Sequence, residues 1–318
     1  MTTPVPSVLE LARFTLAAQH PTTRRWEDDD VRLGRLASAH ELDVRLATDH
    51  ALAAQRAKAI RVGQDAGAFL NRWVRLRSGL EVMLSIRFEG LDPDKPFVDA
   101  SVLSRPVSTD DLAGLAEAGI DAYGAFHPGY LRVWSSAEID AFRGTRRDKR
   151  FLAARMGELA DRGNPPPALT VAPARDLANY PDAEAAYAAV DRAYPAHREQ
   201  AMLQSRADLA VSIAEGILFD VLVDGSWAGY VGATEDSAAT LGLPAYVIQE
   251  IILIAEQRGR GYGRHLTTLL ARALPDRRRI LLGTIHADNR GAIVAATRAG
   301  REDVGGWFQV PLPTVALA

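Results

Sequence analysis

The stretch Ile251-Ile252-Leu253-Ile254-Ala255-Glu256-Gln257-Arg258-Gly259-Arg260-Gly261-Tyr262-Gly263-Arg264 decides how the rest of the chain is read. Its first four residues are continuously apolar, the pattern of a strand covered on both faces. Beyond it, Leu266, Leu269, Leu270 and Leu274 recur at helical spacing. Between strand and helix lies a turn in which every second residue from 259 to 263 is glycine. Such a turn gathers backbone N–H groups at the positive end of the helix dipole, which makes an anion site. Glycine is needed where a phosphate must approach the backbone without a Cβ in its way. Arg258, Arg260 and Arg264 add positive charge. The letters lack the Lys-Ser/Thr ending of a P-loop and the spacing of G-x-G-x-x-G. Read alone, they also fit a glycine-rich turn flanked by solvated arginines.

Working outward, Ala168 to Pro173, Ile217 to Val223 and Trp227 to Ala233 read as strands, the last two joined at the hairpin signal Asp224-Gly225. Tyr246 to Ile254 is a long strand, and further strands are expected over 280–286 and 307–310. Helices are expected over 182–192, 198–215, 264–274 and 289–299. The first half follows a similar order. Helical patterning over 31–60 precedes strands at 69–76, 80–88 and 97–103. A helix over 110–125 is capped by Ser108 or Thr109, and a strand at 130–134 follows. From Ala137 helix is expected, resuming toward Leu159. Gly163-Asn164-Pro165-Pro166-Pro167 reads as a short stiff linker, giving domains 1–162 and 168–318. The halves agree in element order and not in letters, so duplication is an expectation only.

The chain has 318 residues, above the size at which one core stops growing, which also predicts two domains. A net charge of -3 supplies no long-range attraction to nucleic acid or to an anionic membrane. The basic run Arg277-Arg278-Arg279 is short and has no interleaved aromatic residue. There is no cysteine, so disulfides, thiolate metal sites and a cysteine-bound intermediate are excluded, and no metal site is expected. Met1 to Gln19 has no basic leader region and reads as an amphipathic helix. No apolar run approaches the length that crosses a bilayer. The expectation is a cytoplasmic monomer or homodimer.

The segment around the glycine turn resembles the acetyl-CoA-binding motif of the GNAT superfamily of N-acetyltransferases, Gln/Arg-x-x-Gly-x-Gly/Ala. Arg258, Gly261 and Gly263 match it, and the likeness extends over Leu169 to Pro311. It implies an α/β (α+β) fold of two GNAT-like domains, each a mixed, mostly antiparallel sheet flanked by helices, with acetyl-CoA as co-substrate. By resemblance, Ile251, Ile252 and Leu253 would pair with the pantetheine arm like an added strand. The amides of Gly259, Arg260, Gly261, Tyr262, Gly263 and Arg264 would hold the pyrophosphate. Asn289, Ala292 and Gly300 fall where the family's Asn-x-x-Ala…Gly pattern expects them. Two positions depart. The tyrosine that often protonates the departing thiolate is Ala296 here, and the usual Gly-Phe is Gly300-Arg301.

Acylating an amine requires a neutral nucleophile, a base for its proton and a donor for the tetrahedral oxyanion. Without cysteine, direct attack of the amine on the thioester is favoured. The N–H of Leu253 is the oxyanion donor that the resemblance implies. Glu250, just before the pairing stretch, is the first choice for the base, directly or through water, although a bulge would change the face it occupies. A surface carboxylate is the plain alternative. His286 and Asp288 close the next strand, and His286 is a candidate base or acid. The acceptor is a small-molecule or protein amine, and a non-catalytic acyl-CoA-binding or regulatory protein is the alternative. In the first half the corresponding turn, Leu103 to Asp110, has no glycine, carries Pro106 and ends on Asp110 and Asp111. That domain is expected to have lost its cofactor site.

Overall fold

The computed structural model describes residues 4–193, 202–236 and 240–313. The chain forms two compact units, one comprising 1–149, 239–242 and 304–318, the other 150–238 and 243–303. Residues 150–162 thus belong to the second unit, ahead of the proline run, and the strand after 303 returns to the first.

The first unit opens with helices α1 (Val8–Ala17), α2 (Asp29–Thr48) and α3 (His50–Ile60). Ser7 and Glu10 form a reciprocal capping box that starts α1. The single helical stretch expected over 31–60 is broken at Asp49, whose extended backbone and carboxylate cap α3 through the Ala51 and Leu52 amides. Strands β1 (Arg72–Arg75), β2 (Glu81–Phe88) and β3 (Pro96–Leu103) form an antiparallel meander. Helix α4 (Leu112–Tyr123) then crosses over to β4 (Tyr130–Ser135), which runs parallel to β3. Leu115 and Tyr123 pack with Leu84, Val98 and Val133 in the main core, while Leu11 of α1 meets Trp73, Met83 and Val102 on the other face.

Of the helix expected from Ala137 toward Leu159, residues 137–145 form bends and turns, 146–155 are strand β5 (Arg146–Arg155), and only Met156–Ala160 (α5) is helical. Phe151 to Ala154 are all buried, and this demand outweighs the helical preference of an Ala- and Arg-rich stretch. In the second unit β6 (Leu169–Pro173), helices α6 (Tyr180–Ala193) and α7 (Arg206–Ala214), and strands β7 (Leu218–Val223) and β8 (Ser226–Asp236) follow. Part of the helix expected over 198–215 lies outside the described residues. Asp224 and Gly225 both have positive φ, as the expected hairpin turn requires. β9 (Ala245–Leu253), α8 (Gly263–Ala273), β10 (Ile280–His286) and α9 (Arg290–Ala299) complete this unit. Its strand order is β5-β10-β9-β8-β7-β6. β11 (Glu302–Pro311) is longer than the sequence suggests, and from Gly306 it pairs antiparallel with β4. The first unit's order is therefore β1-β2-β3-β4-β11. Both units carry a mixed sheet flanked by helices, each with one β-α-β crossover.

Candidate functional site

The second unit's site begins where two parallel strands part. β9 and β10 pair through Ala245↔Ile280, Tyr246↔Leu281 and Val247↔Leu282, and among the described residues the register goes no further. From Ile248 onward, among the described residues, the strand that pairs with β9 is β8, and the other edge faces the opening. The β8–β9 register skips a residue, with Ala233 opposite Ile248 and Gly232 opposite Glu250. Gln249 is the extra residue of this bulge, which resets the side-chain alternation. Glu250 and Ile252 consequently face α6 and α7, whereas Ile251 and Leu253 pack with the α8 cluster.

The glycine-rich turn sits at the end of β9. Gly259 and Gly261 take φ of +73° and +81°, and both are open to solvent. Among the described residues, no backbone hydrogen bond engages the amides from Gly259 to Gly263. These free donors precede the first turn of α8, so the turn is chemically an anion cradle. Arg260 and Arg264 are exposed beside it. Arg258 behaves differently: its guanidinium donates to the Leu253 carbonyl (2.7 Å) and to the Ala186 carbonyl (2.8 Å). It ties the end of β9 to α6. Tyr262 packs against the core beneath α8.

Glu250 is fully buried, with no exposed surface. The Tyr187 hydroxyl of α6 donates to its Oε2 (2.5 Å), and the Gln204 amide donates to Oε1 (2.8 Å). Burial pushes the Glu250 carboxyl above its ordinary range, partly offset by these two hydrogen bonds. Burial and the neighbouring carboxylate push the Tyr187 phenol up as well. Tyr187 is half-buried and is the member of the pair that reaches solvent. Sequence reading missed it, because nothing local in α6 marks it apart from a tyrosine among alanines.

On the opposite strand His286 is 23% exposed, and its Nδ1 accepts from the Asp288 amide at 3.2 Å, which leaves Nε2 to carry the ring proton. Asn289 caps α9, its Oδ1 accepting from the Ala292 amide. Ala296 is buried in the position that the resemblance assigns to tyrosine.

In the first unit β3 and β4 also pair over three positions only, Val98↔Leu131 to Ala100↔Val133. The turn that follows β3 supplies its own anion. Asp111, 1% exposed, accepts from the Ser108 amide and hydroxyl, from the Ser78 hydroxyl and from both terminal nitrogens of Arg105. The Arg105 guanidinium holds the Asp111 carboxyl well below the usual range, with the serine donors adding to it. A cavity of about 300 Å³ beside this sheet is lined by His40, Asp99, Arg132 and Trp134. Among the described residues, no group of three or more His, Asp or Glu side chains is arranged to hold a metal, and no helix is long and apolar enough to cross a membrane.

Strand opening, bulge, unpaired turn and helix occur together in one unit. Residues 183–300 match the model of the acetyltransferase (GNAT) family. The matched segment holds β9, the glycine turn, α8, β10 and α9 together with β7, β8 and most of α6. Across nearly the whole chain the fold is similar to that of a GCN5-related N-acetyltransferase from Sphaerobacter thermophilus, at TM-score 0.50 and 14% identity over 99% of this chain and 96% of that one. A GCN5-related N-acetyltransferase from Kribbella flavida aligns at TM-score 0.42 and 13% identity over 85% and 98% of the two chains. A tandem GNAT protein from the clavulanic acid biosynthesis pathway aligns at 0.38 and 15% over 85% and 98%. No curated protein sequence matches the chain.

Proposed function

We propose that the GNAT domain transfers an acyl group from a CoA thioester, acetyl-CoA in the simplest case, directly to a primary amine. The observation that carries this reading is the buried Glu250–Tyr187 pair beside the opening between β9 and β10. The amides of Gly259 to Arg264 hold the pyrophosphate at the positive end of α8, with Arg260 and Arg264 nearby. The pantetheine arm pairs with Ile251, Ile252 and Leu253, which brings the thioester beside Glu250 and the Leu253 amide toward the developing oxyanion. Asn289 fixes the start of α9 on the other side of the cofactor.

The acceptor amine enters from the α6–α7 side, where only Tyr187 of the pair is accessible. Its nitrogen bonds to the thioester carbon, and its proton passes to the Tyr187 oxygen as the phenol proton moves to Glu250. The C–S bond then breaks, an amide forms, and CoA leaves as the thiolate, which takes its proton from solvent as Glu250 returns its own. A carboxylate whose proton affinity is raised by burial is the stronger base for this step. His286, with its proton on Nε2, donates the hydrogen bond to the departing sulfur that Ala296 cannot. The chain acts free in the cytoplasm on a small-molecule or protein amine, as a monomer or a homodimer.

The test is release of free CoA thiol from acetyl-CoA across a panel of primary amines, run with wild type and Glu250→Gln. Amine-dependent release by wild type alone supports transfer. Tight CoA binding with no release for any amine would favour a non-catalytic acyl-CoA sensor.

A further inference from the structure

Arg301 is the first residue beyond the αL cap of α9 and departs from the family pattern. It is 5% exposed, and its Nε and Nη1 are cut off from solvent with no hydrogen-bond partner among the described residues. Burial brings its pKa down to about 10, with no carboxylate countering it, so the side chain stays cationic at neutral pH. Proteins rarely leave a buried guanidinium unpaired, because its lost hydration is not returned by any partner. Such a group is the signature of a missing anion.

Its position says where that anion goes. A Cβ built on Gly283 would lie 2.2 Å from Nη1 of Arg301 and 3.3 Å from Cδ1 of Ile248. Any larger residue at 283 would therefore evict the guanidinium. Gly283 follows Leu282, the last residue of β10 in register with β9, and Ile248 follows its partner Val247. Arg301 thus sits at the vertex where the two strands part. Ile248 packs with the α8 cluster, while Glu250 and Tyr187 lie on the α6 side, so this cation is on the donor's side of the strand and away from the acceptor amine.

We propose that Arg301 binds a carboxylate at the far end of the transferred acyl group, so that the preferred donor is the CoA thioester of a short dicarboxylic acid. This rests on the CoA reading given above. With pyrophosphate at Gly259–Arg264 and pantetheine running back along Leu253 to Ile251, the acyl chain continues toward Ile248 and Gly283, where it meets the guanidinium. The second carboxylate stays on Arg301 throughout. The thioester carbon gains the amine nitrogen and loses sulfur, the amine proton goes to the Tyr187–Glu250 pair, and the product is an amide bearing a free carboxylate.

Calorimetric titration of the full chain with CoA, acetyl-CoA, malonyl-CoA and succinyl-CoA tests this. Wild type is expected to bind malonyl- or succinyl-CoA about tenfold or more tighter than acetyl-CoA, as a charge-assisted pair in a dry site provides. Arg301→Met should bring the acidic thioesters level with acetyl-CoA while free CoA keeps its affinity. Gly283→Ala, which displaces the same guanidinium, should do likewise and serves if the Met variant is unfolded by circular dichroism. Equal wild-type affinity for acetyl-CoA and both acidic thioesters would overturn the proposal and leave the CoA site standing. So would an equal loss for CoA itself in either variant. If no CoA species binds wild type, the CoA reading fails and this one falls with it.

Discussion

The Tyr187 hydroxyl donates to Oε2 of Glu250 across 2.5 Å, joining α6 to the bulged part of β9. If this pair takes the amine proton, Glu250→Gln should lower kcat about 100-fold or more, with KM for the acyl donor changed by less than about twofold. Tyr187→Phe should cost less than Glu250→Gln, because water can replace the hydroxyl. Steady-state kinetics on both variants decide the matter; a fully active Glu250→Gln removes Glu250 as the base.

The same carboxyl sets a pH dependence. Its folded pKa lies above the ordinary value of 4.5, so the reactive ionised form is lost as pH falls through a point higher than a free carboxylate would give. The acid limb of kcat/KM for wild type should lie above that value. Stability runs the other way. The folded state holds this proton more tightly than the unfolded chain, so ionised Glu250 costs stability above 4.5. Glu250→Gln should therefore melt at or above the wild-type temperature at about pH 7, and this advantage should vanish at about pH 4.

The turn offers a cleaner test of cofactor binding. Gly261 has φ of +81° and open space where a Cβ would stand, so Gly261→Val strains the backbone without a clash. A β-branched residue is an outlier there, and re-aiming the amides should weaken CoA binding about 30-fold or more while the far-UV spectrum is unchanged. Unaltered affinity by calorimetry would dismiss this turn as the pyrophosphate site.

For the first unit the expectation concerns stability. Asp111→Asn leaves Arg105 and its serine donors with a neutral partner and should cost about 2–4 kcal/mol, read as a lower urea midpoint. Because the folded pKa of Asp111 is depressed, its contribution is complete above the ordinary carboxylate range and is lost as pH falls below about 4. The gap between wild type and variant should close over that interval. A constant gap would mean that the carboxylate's charge is not what stabilises this turn.

The glycine turn and the strand before it are legible because their chemistry is local: alternating glycines and a run of four apolar residues. Glu250 was legible as a candidate for the same reason, but its face depended on the bulge at Gln249, which no letter announces. Tyr187 lies 63 residues from its partner and Arg301 shares its pocket with Gly283, so neither pairing has a local sign. The segment 146–155 reads as helix because alanine and arginine favour it, and only burial of its apolar half makes it a strand. β11 reads short in the sequence because Glu302, Asp303, Gly305 and Gly306 hide its extended start.

The return of β11 to pair with β4 bears on synthesis. As the chain leaves the ribosome, β4 emerges first and must wait with an open edge while the second unit is translated. An exposed, half-apolar edge is a template for pairing with other chains. Fast folding of the second unit would shorten this vulnerable interval, whereas rare codons between β5 and β11 would lengthen it and lower the soluble yield.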